Sequence, residues 1–252
     1  MSAELDELKD LTRSLRRRVE LSDASDWTAA SASPARAVAP AERGAVAPSV
    51  GNKTGILAEV VEKVKACRAC PLGSARLQAV PGVGSPDAAV LFVGEGPGFD
   101  EDHKGEPFVG RSGQLLDKIM AAIGLSRASV YIANIVKCHP MTDPSDPEKR
   151  GNDRPPSPEE IAACRPWLDA QIRAISPRFI VTLGAVPARV LLQDQTPISK
   201  IRGRWRTYDP GGGAAPVRLL PTFHPAALLR NPNLKRDVWE DMKSLREELS
   251  KP

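Results

Sequence analysis

Four short runs in this chain are apolar almost without interruption, and they alternate with segments whose apolar residues recur every three or four positions. The runs are 88–94 (AAVLFVG), 130–136 (VYIANIV), 179–183 (FIVTL) and 217–223 (VRLLPTF). Continuous apolar character, in place of strict alternation, describes strands buried on both faces. Helical spacing lies between them, through Leu115, Leu116, Ile119, Met120 and Ile123, then Ile161, Cys164, Leu168 and Ile172, then 186–192. A closing helix is marked by Val238, Met242, Leu245 and Leu249. Ser157-Pro158-Glu159-Glu160 reads as a helix start, with a capping Ser, a Pro in the first turn and a Glu at the capping-box position. Strands separated by helices predict an α/β fold: a three-layer α/β/α sandwich around a mainly parallel four-stranded sheet. In such sheets ligands bind beyond the carboxyl ends of the strands.

The sandwich accounts for residues 55–252. Before it, residues 1–20 carry Leu5, Leu8, Leu11, Leu15 and Val19 among charged neighbours, the spacing of an amphipathic helix. Residues 21–54 are dominated by Ala, Ser and Pro, with Trp27 their only aromatic. Such a stretch buries too little apolar surface to offset its ordering entropy, so a flexible linker is expected. No apolar run approaches the ~18–20 residues of a membrane span. The acidic start MSAELDELKD has no secretory signal, so a cytoplasmic protein is expected. A monomer is expected too. Lys and Arg number 35 against 31 Asp and Glu, a net charge of +4 that permits a polyanionic partner without demanding one.

The segments after the strands carry the chemistry. The first strand runs into Gly94-Glu95-Gly96-Pro97-Gly98, and the second carries Asn134 and leads to Lys137-Cys138-His139-Pro140. The third ends in Gly184-Ala185 and the fourth in His224-Pro225. GEGPG is not a dinucleotide fingerprint, because Phe99 stands where the third glycine belongs and Pro97 interrupts the turn. The glycines still allow backbone to approach a flat ligand closely. The chain has four cysteines: Cys67 and Cys70 in a CxxC, then Cys138 and Cys164. In a non-secreted chain this pattern points to a metal or redox site more than to disulfides. By ligand count, four thiolates suit an iron–sulfur cluster or structural zinc equally.

In order and spacing, GEGPGFDED (94–102), GEPFVGRSGQLLD (105–117), VYIANIVKC (130–138), Cys164 and FHPAALLRNP (223–232) resemble the family 4 uracil-DNA glycosylases. The resemblance covers roughly residues 57–249. It implies a 4Fe–4S cluster held by Cys67, Cys70, Cys138 and Cys164, structural and not catalytic. It implies uracil-containing DNA, single- or double-stranded, as partner, and hydrolysis of the N-glycosidic bond without strand cleavage. Phe108 matches the stacking aromatic and Asn134 the base-reading amide. Glu95, Gly96 and Pro97 match the turn against the base, with Glu95 also a candidate to activate water. Glu101 matches an acidic position beside the pocket, with a role in excluding the methyl of thymine. His224 matches the catalytic His that stabilises charge on uracil O2. Leu228 and Arg230 match the DNA-intercalating loop, and Arg202, Arg204 and Arg206 are offered to phosphate. Asp100 and Asp102 are expected to be solvated, and His103 and His139 to lie on the surface or in loops. Two features depart from the family: a longer segment between Cys138 and Cys164, and residues 1–54, which are offered as a tether for a protein partner. A non-enzymatic iron–sulfur or zinc nucleic-acid-binding module is the competing reading.

Overall fold

The structure is a computed structural model, and it describes residues 52–251. The expected helix over 1–20, and the linker up to residue 51, lie outside the described residues. Helix α1 (Lys53–Ala66) opens the fold, capped by the Asn52 side chain accepting from the Gly55 amide, and α2 (Leu72–Ala75) follows the CxxC. The chain then runs through β1 (Val83–Gly84), β2 (Val90–Gly94), α3 (Phe99–Lys104), α4 (Arg111–Ala121) and β3 (Tyr131–Asn134). Helix α5 (Pro158–Ile175) begins at the anticipated capping box: the Ser157 hydroxyl accepts from the Glu160 amide at 3.2 Å, and the Glu160 carboxylate accepts from the Ser157 amide at 2.7 Å. Then come β4 (Phe179–Leu183), α6 (Ala185–Leu192), α7 (Ile198–Ile201), β5 (Arg206–Tyr208), β6 (Val217–Thr222) and α8 (Pro225–Arg230). A 3-10 turn (Pro232–Leu234) leads into the closing helix α9 (Lys235–Leu249).

The sheet corrects the sequence expectation. It has six strands in the order β1-β3-β2-β4-β6-β5 and is mixed. The four expected strands are its parallel centre, β3-β2-β4-β6, and two short antiparallel strands add the edges. Edges of two and three residues are too short to print a periodicity in the sequence. The centre is as dry as the apolar runs imply: every residue of β2, β3 and β4 is buried. Leu91 and Ile180 pack in one core with Leu168, Ile172 and Ile175 of α5, and Phe92, Ile132 and Leu116 are buried as well, all with under 2 % exposure. Such side chains contribute roughly 1.5–3 kcal/mol each by leaving water.

Strand order fixes where a ligand can sit. From β2 the chain moves to β3 on one side, whereas from β4 it moves to β5 and β6 on the other. Loops leaving β2 and β4 therefore diverge, and a crevice opens at their carboxyl ends. Among the described residues no helix is long and apolar enough to cross a membrane.

Candidate active site

The crevice is a cleft of about 410 Å³, within the usual range for small-ligand sites. The ends of all four parallel strands line it. β2 supplies Glu95, Gly96, Pro97 and Gly98, β3 supplies Asn134, β4 supplies Gly184 and Ala185, and β6 supplies Phe223 and His224. Glu101, Phe108 and Arg230 are also in the wall, so every residue expected to touch a base lines one cavity. No lysine is among the described residues lining it.

Asn134 ends β3 with 1 % exposure. Its amide oxygen is buried without a hydrogen-bond partner. An orphaned acceptor of this kind costs about 1–3 kcal/mol, which a donor on a bound ligand would recover. The end of β3 is fixed from behind by Lys137, whose ammonium donates to the Asn134 carbonyl at 2.9 Å and to Gln171 Oε1 at 2.7 Å. Burial pulls the Lys137 ammonium down to about 8.

Phe108 packs beside Asn134. Its φ is +55°, a left-handed conformation that costs a bulky residue about 1–2 kcal/mol. Its ring lies 5.5 Å from the His224 ring, tilted by 31°. Gly94 makes this possible: a Cβ there would stand 2.3 Å from Asn134 Oδ1 and 2.6 Å from Phe108 Cζ. Glu101 draws the loops together. One carboxylate oxygen accepts from the Val109 and Gly110 amides at 2.9 and 3.0 Å, and the other from the Gly98 amide at 3.2 Å. Its oxygens are thus committed to backbone, and it clamps the Phe108 loop to the β2 turn.

His224 caps α8. Its Nδ1 accepts from the Ala226 amide at 3.1 Å, so in the neutral ring the proton sits on Nε2. Burial, with a smaller push from Arg230, pulls its pKa down to about 4. The imidazole is therefore neutral near pH 7 and is a hydrogen-bond donor to the cleft. Gly184, at φ +102°, passes so close that a Cβ would lie 3.2 Å from His224 Cβ. Burial raises the Glu95 carboxyl above its ordinary range.

Several expectations fail on burial. Leu228 is 1 % exposed and belongs to the core, and it is Leu229, at 43 %, that faces solvent. Arg230 is exposed and lines the cleft. Arg202 does not wait for phosphate: its Nε donates to Asp241 at 3.0 Å, and Asp241 also accepts from Thr222 at 2.6 Å. Asp102 is fully buried and accepts from the Leu77 and Gln78 amides. His139 is fully buried as well, with Nε2 2.7 Å from Asp153 and Nδ1 3.6 Å from Asp102. Burial opposes its charge, but the two carboxylates outweigh that and raise it to about 9. Sequence reasoning missed this pair, and it also missed Asp153 and Arg154, which line the cleft from the long segment after Cys138.

The metal expectation is corrected too. Cys67, Cys70, Cys138 and Cys164 line a single small cavity with Arg76, Lys137 and Trp167. Yet among the described residues no group of three or more His, Cys, Asp or Glu side chains is placed to hold a metal ion. The cavity, about 10 Å³, is barely the size of one water. Cys138 Sγ accepts from Arg76 Nη1 at 2.9 Å, and Cys164 Sγ from the Lys137 amide at 3.2 Å. Burial pushes the Cys138 thiol up to about 11 and raises Cys164. Neither the 4Fe–4S cluster nor a zinc site is carried forward.

The carboxyl ends of a parallel-centred α/β sheet thus gather, in one cleft, an orphaned amide oxygen, an aromatic ring and a neutral His, the layout of an α/β protein with a small-molecule pocket at its strand ends. Comparison with known proteins gives the particular family. The model of the uracil DNA glycosylase superfamily matches residues 81–243. The type-4 uracil-DNA glycosylase of Thermotoga maritima is 43% identical over 199 residues, covering 77% of this chain and 96% of that one. That of Sulfurisphaera tokodaii is 41% identical over 199 residues, with 76% and 84% covered. That of Archaeoglobus fulgidus is 39% identical over 195 residues, with 76% and 92% covered. The chain therefore belongs to the type-4 uracil-DNA glycosylases and is an enzyme of the DNA-repair glycosylase class.

Proposed function

We propose that the protein flips uracil out of DNA and hydrolyses its N-glycosidic bond, giving free uracil and an abasic site without cutting the strand. The observation that carries this reading is the Asn134 amide oxygen, buried and unpartnered in the cleft wall. Uracil presents a donor at N3 and an acceptor at O4. Asn134 meets that pair with its oxygen and its nitrogen, while cytosine presents the reverse pattern at both positions. Mispairing a buried amide costs roughly 1–3 kcal/mol per group, enough for strong selection.

Each neighbour then has a task. Phe108 stacks on the flipped base, a contact worth about 1–3 kcal/mol. The Gly96 and Pro97 turn closes on its edge. His224, neutral and protonated on Nε2, donates to uracil O2 as negative charge builds there during bond breaking. Glu95 orients the water that captures the cationic sugar. Glu101 holds the two pocket loops in register. Leu229 is the apolar wedge left in the duplex, and Arg230 pairs with a flanking phosphate. Extruding the nucleotide costs a few kcal/mol, which these contacts must supply. A strand cut through an imine would need an amine in the cleft, and no lysine is among the described residues lining it. One chain contains every group named, so the monomer suffices.

The test uses end-labelled oligonucleotides carrying U opposite G, U opposite A, single-stranded U, or T opposite G. Cleavage at U but not T, and only after alkali, is expected. Absence of release from folded protein, equal release of T, or cleavage without alkali would each overturn the corresponding part.

A further inference from the structure

Arg127 lies between α4 and β3 and does not line the cleft. Its guanidinium nevertheless holds the loop that does. Nη1 donates to the Pro107 carbonyl at 3.0 Å, Nη2 donates to the Phe108 carbonyl, and Nε donates to Asp117 Oδ1 on α4 at 2.8 Å. The two carbonyls flank the residue whose φ is +55°. A planar fork of donors suits two neighbouring carbonyls, whereas a lysine would offer one point charge. On the other side the loop is backed by Gly113, where a Cβ would fall 1.7 Å from the Phe108 carbonyl oxygen. The ring itself is backed by Gly94. The Phe108 backbone is thus gripped by Arg127 and walled by Gly113, and its ring is walled by Gly94.

We infer that Arg127 is a positioning residue for the base-stacking ring. It keeps Phe108 in its left-handed conformation and so aims the ring over the cleft, with Asp117 fixing the guanidinium. This inference rests on the reading that Phe108 stacks on a flipped base.

Single-turnover uracil release tests it through a double-mutant cycle of wild type, Arg127→Met, Phe108→Ala and the double variant. Arg127→Met is expected to raise the half-saturating protein concentration about tenfold, because stacking acts on binding before chemistry. Arg127→Lys is expected to recover part of this. In the Phe108→Ala background, Arg127→Met should add less than about twofold, since the two act as one unit. An equal loss in both backgrounds, or no loss in the wild-type background, overturns the inference. Circular dichroism monitors the fold, and if Arg127→Met does not fold, the same cycle is run with Arg127→Lys and read the same way. Failure of the stacking reading is seen separately. If Phe108→Ala alone leaves release unchanged, stacking and the inference fall together. Additivity alongside a large Phe108→Ala loss removes the inference alone.

Discussion

His224 makes the stability of the fold depend on pH in a direction that can be worked out in advance. In the unfolded chain a His titrates near 6.5, and in the fold burial holds this one at about 4. The folded state therefore resists the proton that the unfolded state accepts. The stabilising contribution is complete above pH 6.5 and is lost progressively as pH falls toward 4. Between pH 7.5 and 4.5 the linkage expression gives a loss of about 2.5 kcal/mol from this residue alone. His224→Gln removes the titrating group and keeps a polar side chain. Urea unfolding of both proteins at the two pH values isolates the effect, because every other group is common to the pair. The wild type should lose about 2.5 kcal/mol more than the variant. Burial, not Arg230, is the larger cause, so about 0.5 M salt should leave most of the difference in place. Parallel losses in the two proteins would refute the reasoning, because His224 would then titrate alike folded and unfolded.

Three further outcomes follow from the same geometry. Burial raises the Glu95 carboxyl, so the single-turnover rate should fall on the acid side as Glu95 takes its proton, while His224 is still neutral; Glu95→Gln should flatten that limb and lower the plateau about 100-fold. Gly94→Ala drives a methyl into Asn134 Oδ1 and the Phe108 ring, so uracil release should drop at least about 100-fold, with far-UV circular dichroism unchanged. Leu229→Ala should slow release from duplex DNA about tenfold while scarcely affecting single strands, because only the duplex needs a wedge; equal effects on both substrates would remove that role.

Much of this architecture can be read directly from the chain. Continuous apolar runs locate β2, β3, β4 and β6, and the residues just past them, Glu95, Asn134, Gly184 and His224, prove to face one cleft. That success has a physical cause: a parallel strand buried on both faces is conspicuous, and its carboxyl end is where polar residues return. Legibility ends where structure is short or where burial is decided by distant partners. β1 and β5 are two and three residues long, with no room for a pattern. In the six-residue α8, Leu228 and Leu229 are equally apolar, and only the helix's seat on the fold turns one inward. His139 looks like a loop residue until Asp102 and Asp153, far apart in sequence, close on it.

Arg127 shows the limit most sharply, because its carbonyl partners are main-chain groups that carry no residue-type signature. The sequence signal near Phe108 is instead one of smallness: Gly94 and Gly113 each stand where a Cβ would meet Phe108, and at Gly94 Asn134 as well. A left-handed aromatic can be held only if the space around it is reserved and its carbonyls are bound. Glycines reserve the space and can be seen in the sequence. The guanidinium that binds the carbonyls comes from the α4–β3 connection, and folding alone brings it there. The same division runs through the cleft. Glu95, Asn134 and His224, proposed for the base, stand at strand ends, where the sequence marks them, while Lys137 holds the end of β3 and Glu101 and Arg127 hold the Phe108 loop through backbone groups. Substitutions among the second set should therefore blunt recognition without touching the base, and that is the behaviour the Arg127 and Phe108 cycle measures.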